Sequence, residues 1–286
     1  MTKKKLLKKQ PFKDKSAIIC GASEGLGLAT AKEFVKLGGS VCINARREEK
    51  LNNAKSELKA LILDESQYIV SISCDATNMV KLKPLIEEFI KNRGAPDYLI
   101  NLVGTAFPNY LENLSLEDFK KQMDVNYYGQ VVPTLILLPH FMKRKKGHIA
   151  FVSSAGAFLG LIGYAAYTPT KAALLGLAEV LKNELSPYKI DISVILPGDM
   201  DTEGFKKENE SKPEENKIIS EKSKLMPPEE VAECFIEGIL DKDFYITPGD
   251  VGFMFWAKRH LPKLVFNILD KDLKKARKKL GKDTDY

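Results

Sequence analysis

The chain has 286 residues, 44% of them hydrophobic and 29% charged, which describes a soluble globular protein with ample core, as one large domain or two small ones. Its net charge of +6 belongs to the ends: residues 1–15 carry +6, residues 258–286 another +6, and the body about −6. Four widely spaced cysteines, Cys20, Cys42, Cys74 and Cys234, show neither metal-ligand nor C-x-x-C spacing. They are read as free thiols in a reducing compartment, with no metal site.

Residues 1–13 form a basic arm, and Met1 to Lys15 lack the apolar core of a secretory signal, so the expected location is cytoplasmic. Such tails are solvated arms or contacts for an anionic membrane surface; no nucleic-acid motif accompanies them, and no nucleic-acid partner is expected.

Strand and helix signals then alternate. Strands are predicted at Ser16–Cys20, Ser40–Asn44, Tyr68–Cys74, Tyr98–Val103, His148–Ser153, Asp191–Leu196 and Phe244–Thr247. Helices are predicted near 25–37, 47–63, 79–93, 117–145, 168–186 and 228–240. The alternation implies one α/β domain over residues 14–250, a Rossmann-like doubly wound parallel sheet with helices on both faces. Residues 203–226 are a polar, charge-dense insertion after a strand's carboxyl end, the edge where such sheets bind ligands, and read as a lid. Residues 251–286 form an apolar-then-basic extension.

After the first strand, Gly21, Ser23, Glu24, Gly25, Leu26 and Gly27 make a G-x-x-x-G-x-G turn into a helix. Glycines let a backbone turn sharply and approach a pyrophosphate, and a helix N-terminus offers it unpaired N–H groups. A plain tight connection is the alternative. The second strand ends in Ala45-Arg46-Arg47, where an NAD site would carry an acid. Arg46, assisted by Arg47 or Lys50, is therefore assigned to the 2′-phosphate of NADPH, against a reading as solvated charge. Asp75 ends the third strand, either to accept from the adenine amino group or to cap the next helix. The fourth ends in Asn101-Leu102-Val103-Gly104, with Gly104 placed close to the adenine ribose.

Tyr167 and Lys171 lie four residues apart at a helix start, which puts phenol and ammonium on one face. A nearby ammonium lowers a phenol's pKa toward neutrality, so Tyr167 is a candidate general acid for a carbonyl oxygen receiving hydride. Ser154 lies thirteen residues earlier, Asn126 in the preceding helical run, and Pro197-Gly198-Asp199-Met200-Asp201-Thr202 beyond. Tyr164 is a competing phenol, but Thr168 rather than a cation stands four residues on, and it is read as packing.

Taken in order, these motifs resemble the short-chain dehydrogenase/reductase family over about residues 14–202. Two sterically mild departures are Cys20 for the usual Thr and Val103 for the usual Ala. The resemblance implies that Tyr167 donates the proton, Ser154 holds the substrate carbonyl, and Lys171 binds the nicotinamide ribose while depressing the Tyr167 pKa. It implies that Asn126 helps hold a relay water, Asn101 belongs to the cofactor site, and Pro197 and Thr202 hold the carboxamide. Dimers and tetramers are common for this fold, so a homo-oligomer is expected.

Within the family the chain resembles the 3-ketodihydrosphingosine reductases, through Ala45-Arg46, Gly160-Leu161, Gly176-Leu177-Ala178-Glu179 and Asp201-Thr202-Glu203-Gly204-Phe205, with Lys212-Pro213-Glu214 beyond. The implied substrate is a hydrophobic lipid ketone, reduced with NADPH in sphingolipid synthesis. Alternatives are another hydrophobic carbonyl, a 3-oxoacyl thioester or a steroid, or a non-catalytic NADPH-binding protein. The presence of Asn126, Ser154, Tyr167 and Lys171 together argues against the last. Two short apolar runs, 251–257 and 264–269, are too short to span a bilayer and suit either an interfacial helix or a packing contact. The first would place the protein peripherally on a membrane, in a eukaryote the cytoplasmic face of the endoplasmic reticulum.

Overall fold

Short β-branched runs form seven strands that pair side by side, all parallel, in the order β3-β2-β1-β4-β5-β6-β7. They are β1 (Ser16–Cys20), β2 (Ser40–Ala45), β3 (Ile69–Ser73), β4 (Tyr98–Asn101), β5 (Gly147–Val152), β6 (Ile190–Ile195) and β7 (Tyr245–Ile246). The computed structural model describes residues 9–221, 223 and 225–284. The helices are α1 (Gly25–Lys36), α2 (Glu48–Lys59), α3 (Met79–Arg93), α4 (Leu116–Met123), α5 (Gly129–Arg144), α6 (Thr168–Glu184), α7 (Glu203–Ser211), α8 (Glu214–Ser220), α9 (Pro228–Asp241), α10 (Val251–His260) and α11 (Pro262–Lys279).

Strand residues alternate between two cores, as the two-residue repeat of a strand requires. Ala17 and Ile19 join the core under α1, α2 and α9, with Phe34, Leu51 and Phe235. Ile18 and Cys20 join the opposite core under α3, α5 and α6, with Leu82, Phe141 and Leu174. A sheet buried on both faces needs apolar residues at every position, and β1 is buried from Ala17 through Cys20. Cys20, Cys42 and Cys74 are buried free thiols, and burial pushes Cys20 up to about 12. Within the segment read as a basic arm, residues 1–8 lie outside the described residues. Phe12 is fully buried, its ring stacked on Phe34 with centroids 4.0 Å apart. Burial of such a side chain contributes roughly 1.5–3 kcal/mol, so residue 12 belongs to the fold.

One element differs from the sequence expectation. The predicted helix over 117–145 is divided by a wider turn at 124–128, where the Gly129 N–H donates to Asp124 O, five residues back. Here the side chain of Gln130 donates to the carbonyl of Asn126, as befits a bulge that re-aims a side chain. The polar insertion read as a lid contains α7 and α8, and Thr202 caps α7 by accepting from the Phe205 N–H at 3.2 Å.

Strand order reverses between β1 and β4, so helices leave on opposite sides and a crevice opens at the carboxyl ends of those strands. The carboxyl-terminal helix α11 packs against α8, and the carboxylate of buried Glu215 pairs with Lys282 at 2.9 Å and Arg277 at 3.5 Å. Glu215 also accepts from the Tyr110 hydroxyl at 2.5 Å. Burial would raise this carboxyl, but Tyr110 and Lys282 hold it below the usual range.

Candidate active site

A cleft of about 1100 Å³ opens at the crevice. All the expected site residues line it except Lys50, Asn101 and Asn126.

At its cofactor end, β1 turns at Gly21, whose φ of +82° lies in the left-handed region. A Cβ on Gly21 would stand 2.7 Å from Leu102 O, and one on Gly27 only 2.0 Å from Gly21 O. Both positions therefore require glycine for strand and helix to meet this closely. Asn44 fixes the same turn: its carbonyl accepts from the Gly21 N–H at 2.8 Å, and its amide donates to Ile72 O and Cys74 O.

The three cations beyond β2 are not equivalent. Arg47 and Lys50 both hydrogen-bond the Glu24 carboxylate. Partial burial would raise that carboxyl, but Lys50 and Arg47 hold it below its usual range. Arg46 is loosely held: its guanidinium lies 3.7 Å from Asp75 and is 68% exposed. Asp75 itself accepts from Thr77 in a local turn, and Asn78, not Asp75, caps α3 through the Lys81 N–H. With Ala45 at the strand end, the group facing outward from β2 is a cation.

Asn101 departs from its expected place. The β4 register turns its side chain beneath α5, where it is fully buried and donates to Thr134 Oγ1 at 3.2 Å. It holds helix to sheet and makes no wall of the cleft.

At the catalytic end, Pro169 occupies the first turn of α6, and the helical spacing puts Lys171 Nζ 5.9 Å from the Tyr167 ring centroid. Lys171 is buried and donates to Val152 O at 3.1 Å. A Cβ on Gly104 would stand 3.1 Å from that nitrogen, so Gly104 makes room for the amine. Ser153 caps the arrangement by donating to Lys171 O at 2.8 Å. Ser154 Oγ accepts from the Gly156 N–H at 3.0 Å, which leaves its proton to be donated toward the neighbouring Tyr167 hydroxyl.

The electrostatics correct one expectation. Burial pushes the Tyr167 phenol above its ordinary value; a hydrogen bond with Ser154 works against this, and the charges of Glu208 and Asp199 push it further up. Burial pushes the Lys171 amine down to about 7. In the protein alone Lys171 therefore does not draw Tyr167 toward neutrality: the amine is desolvated without a carboxylate partner among the described residues and is itself close to losing its charge at pH 7. The phenol keeps its proton, the form a general acid must have.

Asn126 lies behind this pair. Its Oδ1 accepts from the Thr105 N–H at 2.7 Å and its amide donates to Thr170 Oγ1 at 3.0 Å. Its side chain joins the turn after Gly104 to the first turn of α6. Gln130 was missed by the sequence reasoning. Fully buried, it donates to Val103 O, Asn126 O and Val152 O and accepts from the Val152 N–H, which fixes the ends of β4 and β5 to each other. The signal was present: Asn126, Gln130 and Thr134 repeat at every fourth residue of an otherwise apolar run.

The remaining wall comes from the insertion. Tyr164 packs 5.5 Å from the Tyr167 ring, and its hydroxyl donates to Glu208 of α7. Lys212, whose side chain is wholly buried, lies 3.1 Å from the same carboxylate. Tyr164 is thus wall rather than a rival acid, and burial with Glu208 beside it pushes its phenol up.

The buried amine generates a prediction for stability. Lys171 is pushed below its ordinary value, so between pH 7 and the ordinary lysine range the unfolded chain binds more protons and stability rises with pH. Its cost to the fold is complete below pH 7 and fades as pH rises. The thermal midpoint of Lys171→Met should therefore gain on the parent more at about pH 6.5 than at about pH 10. A gain that is equal at both, or larger at alkaline pH, contradicts a desolvated amine.

The family model for short chain dehydrogenases matches residues 15–213. The 3-dehydrosphinganine reductase of Danio rerio is 38% identical over 88% of this chain and 77% of its own length. The 3-ketodihydrosphingosine reductase of Dictyostelium discoideum is 37% identical over 82% of this chain and 75% of its own. Among solved structures, a 3-oxoacyl-[acyl-carrier protein] reductase of Brucella melitensis with bound NAD superposes with a TM-score of 0.73 at 22% identity, covering 87% of this chain and 94% of that one. The parallel sheet, the glycine turn and the Tyr167–Lys171 pair thus occur together in a chain that belongs to the short-chain dehydrogenase family.

Proposed function

We propose that the protein reduces the ketone of 3-ketodihydrosphingosine to the secondary alcohol, with NADPH as reductant. The observation that carries this reading is the opening of Ser154, Tyr167 and Lys171 onto the same cleft as the glycine turn, in a chain whose relatives bear that activity in their names. The residues present fit the cofactor. Gly21 and Gly27 hold a backbone cradle that a Cβ would fill, and Arg46 supplies an exposed guanidinium where a 2′-phosphate needs one. Arg47 and Lys50, tied to Glu24, hold the edge of that site. Thr202 and Pro197 hold its nicotinamide end, and Lys171 its ribose. When bound, the cofactor supplies hydride to the ketone carbon.

The rest is done by the chain. The Ser154 hydroxyl donates to the ketone oxygen and fixes it beside Tyr167. Tyr167 Oη gives its proton to that oxygen as negative charge develops there. The phenolate left behind is reprotonated from the Lys171 side, where an amine with a pKa of about 7 gives up a proton readily near neutrality. Leu159, Leu161, Ile219 and Met254 offer the alkyl chain an apolar wall.

We place the enzyme on a membrane surface. Val251 and Met254 of α10 line the cleft, while Phe253, 71% exposed, and Trp256, 49% exposed, face outward from the same helix. Leu264, Phe266 and Ile268 of α11 are also exposed, and Lys258, Arg259 and Lys263 stand among them. Exposed aromatic, aliphatic and basic residues on these two helices suit an anionic lipid surface. No helix among the described residues is long and apolar enough to cross a membrane. A helix that is cleft wall on one side and lipid contact on the other lets an insoluble substrate enter from the bilayer.

Three measurements follow. NADPH consumption with 3-ketodihydrosphingosine should proceed in the parent and fall at least about 1,000-fold in Tyr167→Phe, with NADPH affinity kept; turnover of a steroid or 3-oxoacyl thioester alone defeats the substrate assignment. Arg46→Ala should weaken NADPH about 10- to 100-fold and NADH little; equal losses argue against 2′-phosphate recognition. Vesicles containing anionic lipid should shift the emission of Trp256, the single tryptophan, to shorter wavelength, and Phe253→Glu should abolish the shift. An unshifted spectrum removes the membrane.

A further inference from the structure

A 2-amino-3-ketone carries an ammonium on the carbon next to the one that receives hydride. A group that recognises it must therefore stand close to the acid that protonates the ketone oxygen. Two carboxylates qualify. Asp199 follows Pro197-Gly198 at the end of β6, and Pro197 O accepts from the Ala155 N–H at 2.9 Å, which brings this exit beside Ser154. Glu208 projects from α7 onto the hydroxyl of Tyr164, whose ring packs on Tyr167. Both line the cleft, and the charge of each is felt at the Tyr167 phenol.

Their partners differ. Glu208 has Lys212, a wholly buried cation 3.1 Å away whose Nζ also lies 4.4 Å from the centre of the Phe205 ring. Asp199 has no hydrogen bond or ion pair to its carboxylate within reach among the described residues. Burial pushes its carboxyl up, against the pull of Lys212, and Glu208 pushes it further. Among the described residues the cluster thus holds two acids and one cation, and is short of one positive charge.

We propose that Asp199 is the carboxylate that receives the substrate's ammonium group, while the Glu208–Lys212 pair builds the wall behind it. This rests on the reading of the substrate as a sphingoid ketone. The bound ammonium completes the charge of the cluster, and pairing it with a partly buried carboxylate sets the carbonyl between Ser154 and Tyr167. An uncharged ketone of the same length gains nothing there. Asp199 therefore makes the enzyme selective for amino ketones.

The test separates binding from turnover. Affinities for dihydrosphingosine and for the alkane-1,3-diol of the same chain length are measured by calorimetry on the full chain with NADP present. The parent should prefer the amine about 10- to 100-fold, the range of a charge-assisted hydrogen bond, and Asp199→Asn should bring the two within about 3-fold. Glu208→Gln should lower the preference as well, because Lys212 is then released to pair with Asp199. The double variant Glu208→Gln, Lys212→Met restores the single uncompensated charge and should recover the preference. A preference unchanged in Asp199→Asn, or not recovered in the double variant, overturns the subsite. A parent that prefers the amine yet reduces no 3-keto sphingoid base instead overturns the reaction and leaves the subsite standing.

Discussion

An amine with no carboxylate partner among the described residues, buried at the end of β5, is the constraint on which the site depends. Lys171 is held by Val152 O, and removing a cation from water carries a cost that its surroundings must offset. Much of the neighbouring structure has a place in that arrangement. Gln130 fixes the Val152 backbone from both its N–H and its carbonyl, Gly104 leaves the space, Ser153 holds the Lys171 carbonyl, and Thr170 and Asn126 anchor the turn before it. The wide turn at 124–128 supplies Asn126 at the cost of a regular helix. A local departure from good helical geometry at the catalytic end is where strain is expected in a protein that otherwise packs regularly.

The same sheet places the other half of the chemistry. Because strand order reverses between β1 and β4, the glycine turn after β1 and the Gly104 turn after β4 face one crevice. The cofactor end is cationic at Arg46, and the substrate end is anionic at Asp199 and Glu208, partly offset by Lys212. The two ends thus offer opposite charge to an anionic cofactor and to the cationic headgroup proposed for the substrate. The carboxyl-terminal helices join the second end to the outside. Residues of α10 line the cleft, and α11 is clamped through Lys282 and Arg277 to Glu215 of α8.

Much of this was legible in the sequence, for reasons that differ by element. Strands buried on both faces read as continuous apolar runs, and all seven strands lie within about two residues of their predicted bounds. Tyr167, Lys171, Gly21, Gly27 and Arg46 were legible because their chemistry depends on local spacing: a helix turn, a strand-to-helix turn, a strand end. Contacts between distant segments were not. Asn101 was assigned to the cofactor site only through the family resemblance, and the side on which its amide emerges depends on β4 packing against α5. The direction of the Tyr167 shift depended on burial, on Glu208, which only the folded insertion brings near, and on Asp199 beyond the end of β6. Gln130 was visible as part of a polar stripe, but its three carbonyl partners come from three segments.

The central claim is that one cleft delivers a hydride to the third carbon of a sphingoid ketone and a proton to its oxygen. Incubating the protein with 3-ketodihydrosphingosine and NADPH deuterated at the transferable position, then analysing the product by mass spectrometry, tests this directly. The account predicts dihydrosphingosine carrying a single deuterium on the third carbon, formed by the parent and not by Tyr167→Phe. Unlabelled product, label elsewhere in the chain, or undiminished product from Tyr167→Phe would contradict it.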